Sequence, residues 1–288
     1  ENNVTGTDIT ASGAISGVTT LTLASVGGTA TLSADVDVTT LSVDNTVANV
    51  AFTGNGSSVT NSFTPNNDGT FIFGTSGGTQ TYNGGLTTTS VGGTVGLNGT
   101  IDVNGGNLVL GAVNIDSTTV LDLNGDNNNL SYGSFNDGVT GGNLTLNIDG
   151  SFNLNNSTNI GSGNLTINVD IDNDGTETLT VGVSPRAGET QYNGSNNNDS
   201  LIGPNDSEGT AWTITGNNVG TLAGNEFTNF ANLTGGTGDD TFTFSGTGAL
   251  TGLLDGGAHS NADTANYSAL GAQTIDLGGN AGGVIRIE

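Results

Sequence analysis

The chain of 288 residues carries 27 Asp and Glu against two basic residues, both Arg, for a formal charge of −25. A surface of that sign repels nucleic acid, whose binding depends on Lys and Arg neutralising phosphates, and it repels anionic membranes on the same grounds. The absence of Cys excludes disulfides and thiol chemistry, and no run is apolar enough to cross a bilayer as a helix.

Fifty residues are Gly, hydrophobics make up 32% and aromatics 5%, so a broad multilayered core is not expected. Val, Ile, Leu and Thr nevertheless recur in short alternating runs, the period of half-buried strands. No segment shows apolar residues at helical spacing, and the class expected is all-β. The start at Glu1-Asn2-Asn3, without Met, reads as a processed leader or as a piece of a longer protein. With no Cys over this length, an exported prokaryotic protein, extracellular or on the cell surface, is the expectation.

Along the sequence, Val18-Thr19-Thr20-Leu21-Thr22-Leu23 recurs as Val38-Thr39-Thr40-Leu41-Ser42-Val43. Ser25-Val26-Gly27-Gly28-Thr29 returns as Ser90-Val91-Gly92-Gly93-Thr94, close to three such steps later. Asn107-Leu108-Val109-Leu110 is echoed by Asn143-Leu144-Thr145-Leu146 at an irregular step, and then by Asn164-Leu165-Thr166-Ile167. A period near twenty, with short strands and Gly or Asn at the corners, predicts a parallel β-helix whose coils stack about 4.8 Å apart into a shared core. Roughly fourteen coils would then fill the sequence. The alternative is tandem β-sandwich domains, for which Asn67-Asp68-Gly69 between Phe63 and Phe71-Ile72-Phe73 supplies a hairpin signal. The division expected is solenoid coils over 1–183, a loop-rich interruption over 184–211 around Pro185, Pro204 and the polar tract from Asn193 to Ser207, and further coils over 212–288. The last residues, Gly283 to Glu288, read as a strand.

Two stretches point to a hard cation. In Asp170-Ile171-Asp172-Asn173-Asp174-Gly175, acids at alternate positions precede a Gly, as in the first half of a helix-flanked calcium loop. The twelfth position is Val181 rather than Glu, so Glu177 is the candidate to complete a differently shaped site. The second stretch, Leu233-Thr234-Gly235-Gly236-Thr237-Gly238-Asp239-Asp240-Thr241-Phe242, resembles the nonapeptide of calcium-binding repeats-in-toxin proteins, and Leu254 to Thr264 looks like a degenerate copy. That resemblance implies calcium at Asp239 or Asp240.

The segment from Asn193 to Leu270, with its Trp-x-Ile-Thr-Gly-Asn and Leu-Asp-Gly-Gly elements, resembles very large bacterial β-strand-repeat, filamentous-haemagglutinin-like surface exoproteins. The Val-Thr-Thr-Leu and Gly-Gly-Asn-Leu repeats are similar in style and extend the resemblance over nearly the whole sequence. It implies a right-handed β-helix, export, and a role in adhesion or matrix assembly.

Catalysis is not expected. His259 is the sole histidine, in a Gly- and Asn-rich turn, and Arg186 and Arg286 are the only cationic groups available to an anionic substrate. Phe242 and Phe244 alternate with Thr and so face one side, and Trp212, Phe71, Phe73, Phe227, Phe230, Phe242 and Phe244 are all assigned to the core. The function expected is a structural segment of an extracellular filament, surface fibre or adhesin, its partner a further copy joined head to tail or neighbouring segments of a longer polypeptide. A carbohydrate- or matrix-binding module on the same scaffold is the alternative.

Overall fold

The computed structural model describes residues 2–124, 128–138, 141–195 and 198–270. The strand expected at 283–288 lies outside them. The described residues hold strands, bridges and turns and no helix. They form a β-solenoid of about 12 turns, with parallel partners about 22 residues apart. The sandwich alternative fails on pairing direction. Phe71–Phe73, the far arm of the supposed hairpin, lies parallel to Val50–Phe52 on one side and to Val95–Leu97 on the other. Asn67-Asp68-Gly69 is thus a corner of a coil. The coils are longer than the twenty residues expected, and correspondingly fewer.

The protein divides into two compact units. The first comprises 1–150, 156–165 and 185–189; the second comprises 151–155, 166–184 and 190–288.

In the first unit the repeats seen in the sequence become stacked registers. Val18, Leu21 and Leu23 pair with Val38, Leu41 and Val43. Ala30, Val50, Phe71, Val95, Val113 and Phe135 form one inward column up six coils. The three steps from Ala30 to Val95 account for the returning Ser-Val-Gly-Gly-Thr. The irregular step has a geometric cause. Leu108 stacks between Leu86 and Leu130, whereas Leu144 stacks on Thr119, further along the same long strand Leu108–Leu123. The two similar sequences therefore occupy different sides of the coil.

Alternation does the packing. In Val95–Val103 and Leu108–Leu123, Val95, Leu97, Ile101, Val103, Leu108, Leu121 and Leu123 are all buried. Each of these residues stabilises the fold by about 1.5–3 kcal/mol on leaving water. Four aromatic rings, Phe63, Phe71, Phe73 and Tyr82, gather in one place. The Phe63 ring stands edge-on to Phe71 at 5.9 Å and stacks with Tyr82 at 6.1 Å. The polar atoms here are paired, as burial requires. The Tyr82 hydroxyl donates to Gln80 Oε1 at 3.0 Å, Gln80 Nε2 donates to the Phe52 carbonyl at 2.9 Å, and burial pushes the Tyr82 phenol well up.

Corners are tied by side-chain oxygens that accept a backbone N–H from the adjacent coil. Asp8 Oδ1 accepts from Thr29 at 2.8 Å, Asp35 Oδ1 from Gly56 at 2.8 Å, Asn49 Oδ1 from Thr70 at 2.9 Å and Asn143 Oδ1 from Asn164 at 2.9 Å. Much of the Asp and Asn content is explained this way. These residues replace water for N–H groups at turns where the strand ladder is interrupted.

In the second unit Phe152, Leu179, Leu201, Leu233 and Leu254 stack in a five-stranded parallel sheet. On another side the coil widens. Ala211–Gly216 turns back antiparallel onto Val219–Leu222, which turns back onto Asn225–Thr228. Asn218 and Ala223, at φ 57 and 50, make the two reversals. The excursion lengthens the step to 30 residues between Thr210 and Asp240, and to 35 between Asn193 and Thr228. Segment 184–211, expected as loop, carries the strands Thr190–Asn193 and Ser200–Ile202. All seven aromatics assigned to the core are buried there.

Candidate metal centre

The strand Leu165–Val169 buries Leu165, Ile167 and Val169, and it ends where Asp170 enters the left-handed region at φ 53. That reversal turns the Asp170 carboxylate inward. It is buried; Oδ1 accepts the N–H of Asp174 at 3.0 Å and Oδ2 accepts the Ser195 hydroxyl. A second left-handed residue, Asn173 at φ 61, folds the loop back over it. The backbone re-enters the sheet at Thr178–Val181. Glu177 lies against Gly175, where a Cβ would collide with the Glu177 carboxylate. Val181 is buried in its strand, so the twelfth position offers no ligand.

The next coil closes the site. Asp199 is fully buried; its Oδ1 accepts the N–H of Glu177 at 3.0 Å and its Oδ2 the N–H of Ser195 at 2.6 Å. Carboxylate oxygens of Asp170, Asp172 and Asp174 lie within 4.8 Å of one another, and so do those of Asp170, Glu177 and Asp199. Asp170 belongs to both sets. The structure therefore brings together four of the six acids picked from sequence and adds Asp199, which sequence reading missed. Its signal was the coil period, since Asp199 follows Glu177 by 22 residues.

The electrostatics are those of crowded anions. Burial, then Asp170, Asp199, Asp174 and Asp172 in turn, push the Glu177 carboxyl up to about 7. Its Oε2 is buried without a hydrogen-bond partner. An all-oxygen donor set drawn from two coils, with one buried carboxylate oxygen unpartnered, fits a hard divalent cation of the calcium type. When bound, such an ion would supply the positive charge that this cluster lacks.

Asp239 and Asp240 are placed otherwise, and neither belongs to a set of three acids among the described residues. Asp239 accepts from Asn261 Nδ2 at 2.6 Å, from the N–H of Asn261 at 2.8 Å and from that of Ser260 at 3.0 Å. Those bonds, led by the Asn261 side-chain amide, hold its carboxyl below the usual range. Asp240 is buried; Oδ1 accepts the Thr210 N–H at 2.6 Å, its own N–H donates to Asp263 Oδ1 at 2.9 Å, and Oδ2 has no partner. Burial is the main cause that raises its carboxyl to about 6. Asp263 is in turn 2.9 Å from Nδ1 of His259. Asp240 and Asp263 are thus corner ties of the kind seen at Asp8 and Asp35.

A shallow open groove of about 410 Å³ over Val18, Val38, Thr39, Ser58 and Thr60 has polar walls and no aromatic ring. It offers no stacking platform for a sugar.

Fold and site define an acidic parallel β-solenoid with a carboxylate cluster built across two coils. No family model, curated protein or solved structure matches it.

Proposed function

We propose that the protein is a structural segment of an extracellular bacterial filament, surface fibre or adhesin, acting through the stiffness of stacked coils and through head-to-tail association. The observation that carries this reading is the parallel stacking of strands within each unit, with side chains devoted to columns and corner ties. Each coil buries its apolar side against its neighbours, so the architecture extends by addition of like units. Among the described strands, Asn2–Gly6 and Ile9–Ala11 pair only with Ile15–Leu32, and it is at this edge that we place the association. Association by that edge is heterologous and yields an open polymer. The strong negative charge disfavours unspecific side-by-side contact.

Within this reading a calcium ion held by Asp170, Glu177 and Asp199, with Asp172 and Asp174 beside them, staples two coils and neutralises the cluster. The reading is non-enzymatic.

Electron microscopy of the purified protein with calcium and with EDTA tests it. Long uniform filaments are expected with calcium, shortened or lost on chelation. Isolated particles at high concentration, indifferent to chelation, would overturn self-association.

A further inference from the structure

The sequence contains six Asn-Gly pairs, beginning at Asn55, Asn83, Asn98, Asn104, Asn124 and Asn193. Glycine has no Cβ to hinder approach to the preceding asparagine. Its backbone nitrogen can attack Cγ of that asparagine once the N–H is free to lose its proton to solvent base. A new bond forms between the backbone nitrogen and Cγ, the bond from Cγ to Nδ2 breaks, and ammonia leaves. Water then opens the resulting succinimide at either carbonyl, giving Asp or isoAsp. An N–H engaged by an acceptor, or held within a strand ladder, is withheld from this reaction until the coil opens locally.

The fold treats these pairs differently. Gly56 N–H donates to Asp35 Oδ1 at 2.8 Å, and Gly194 N–H donates to the Thr228 carbonyl at 3.0 Å. Gly99 lies inside the strand Val95–Val103, in register with Thr119. Gly125 is outside the described residues. Gly84 and Gly105 lie in turns, and neither N–H has an acceptor among the described residues.

Their asparagines are exposed and loosely held. Asn83 Nδ2 reaches Ser58 Oγ at 3.3 Å. Asn104 Nδ2 reaches Asn83 Oδ1 at 3.3 Å and Asp102 Oδ2 at 3.4 Å. The two asparagines are 21 residues apart, one above the other on adjacent coils.

We propose that Asn83–Gly84 and Asn104–Gly105 are paired sites of spontaneous deamidation, at which a neutral amide ladder is converted into carboxylates. Conversion of Asn104 removes a donor from Asp102 and sets a second carboxylate beside it. Conversion of Asn83 places a further negative charge one coil away. IsoAsp also adds a backbone atom to the turn, which strains the coil register. The modification therefore loosens this corner as the protein ages, and solvent is its only co-reactant.

The test is peptide mapping by mass spectrometry after incubating the full folded protein at mildly alkaline pH, with a denatured sample in parallel. In the folded protein Asn83 and Asn104 convert first, and Asn55 and Asn193 are slower by on the order of tenfold, the factor set by local opening. In denaturant the differences collapse. Asp35→Ala, which frees the Gly56 N–H, brings Asn55 up towards the rate of Asn83. Conversion of Asn55 or Asn193 as fast as Asn83 and Asn104 in the folded protein overturns the proposal, as does the same ranking in folded and denatured samples.

Discussion

Asp199 sits one coil beyond Glu177 and accepts its backbone N–H at 3.0 Å across 22 residues, while the two carboxylates share a cluster with Asp170. One bond thus does two things: it fixes the register of adjacent coils and brings like charges together. A bare cluster carries repulsion that a cation removes, and this sets opposite signs for the effects of one substitution.

Glu177→Gln keeps the shape of the residue and removes the charge that its surroundings disfavour. In EDTA above neutral pH the variant should be more stable than the parent, with a higher denaturation midpoint. With calcium the order should reverse. A parent held at a hundredfold excess over its dissociation constant gains about 2.7 kcal/mol, which the variant in large part forgoes. Chemical denaturation with calcium and with EDTA reads both signs. A variant less stable than the parent in EDTA would mean that Glu177 is held by favourable contacts rather than crowded.

Corner ties give a second test. Asn143 Oδ1 accepts from the N–H of Asn164, whose own Oδ1 accepts from the N–H of Glu189 at 3.0 Å. Asn143→Asp preserves the acceptor and should be nearly neutral. Asn143→Ala removes it and should cost about 1 kcal/mol. Equal losses for both, by equilibrium denaturation, would show that the amide donor rather than the acceptor carries the contact.

Much of the fold was legible because a parallel solenoid repeats its register in sequence. Val18 to Leu23 announced its partner Val38 to Val43 directly. Legibility failed where like sequences occupy unlike sides of a coil, as Leu108 and Leu144 do. It failed again where the excursion through Val219–Leu222 stretched the step between Asn193 and Thr228 to 35. Of the carboxylate cluster, Asp170, Asp172, Asp174 and Glu177 were visible because the loop is local. Asp199 was not, since it meets them only through stacking. Asp239 and Asp240 carried a ligand-like spacing, yet their oxygens take backbone and side-chain N–H groups of adjacent coils.

Asp240 sets a pH dependence. Its folded-state pKa of about 6 lies above its ordinary 3.8, so the folded state holds more proton than the unfolded state between those values. The penalty of burying this charge, with Asp263 and Asp206 adding repulsion, is present in full above about 6 and is relieved as pH falls through it. Asp239 acts in the opposite sense. Its depressed carboxyl stabilises the fold above the unfolded value and loses that contribution in stronger acid. Thermal stability in EDTA should therefore rise on mild acidification and fall again below about 4. Asp240→Asn should be more stable than the parent above about pH 6 and lack the Asp240 share of the rise, keeping the part that Glu177 supplies as pH falls through about 7. Parallel profiles for parent and variant would remove Asp240 as the cause.

Core columns predict how damage spreads. Leu201 is fully buried between Leu179 and Leu233, and Leu179 stands in turn on Phe152. Leu201→Ala opens a cavity in a layer that only adjacent coils can fill, at a cost of about 2–5 kcal/mol. In a stacked architecture stability is a sum of coil terms and nearest-neighbour terms, so the loss should fall on the adjoining strands. Amide exchange should accelerate in Thr178–Val181 and Asn232–Thr234, and less in Phe152–Leu154. Uniform acceleration across this sheet would instead mean that the second unit opens as one cooperative body, and the nearest-neighbour description would have to be abandoned for it.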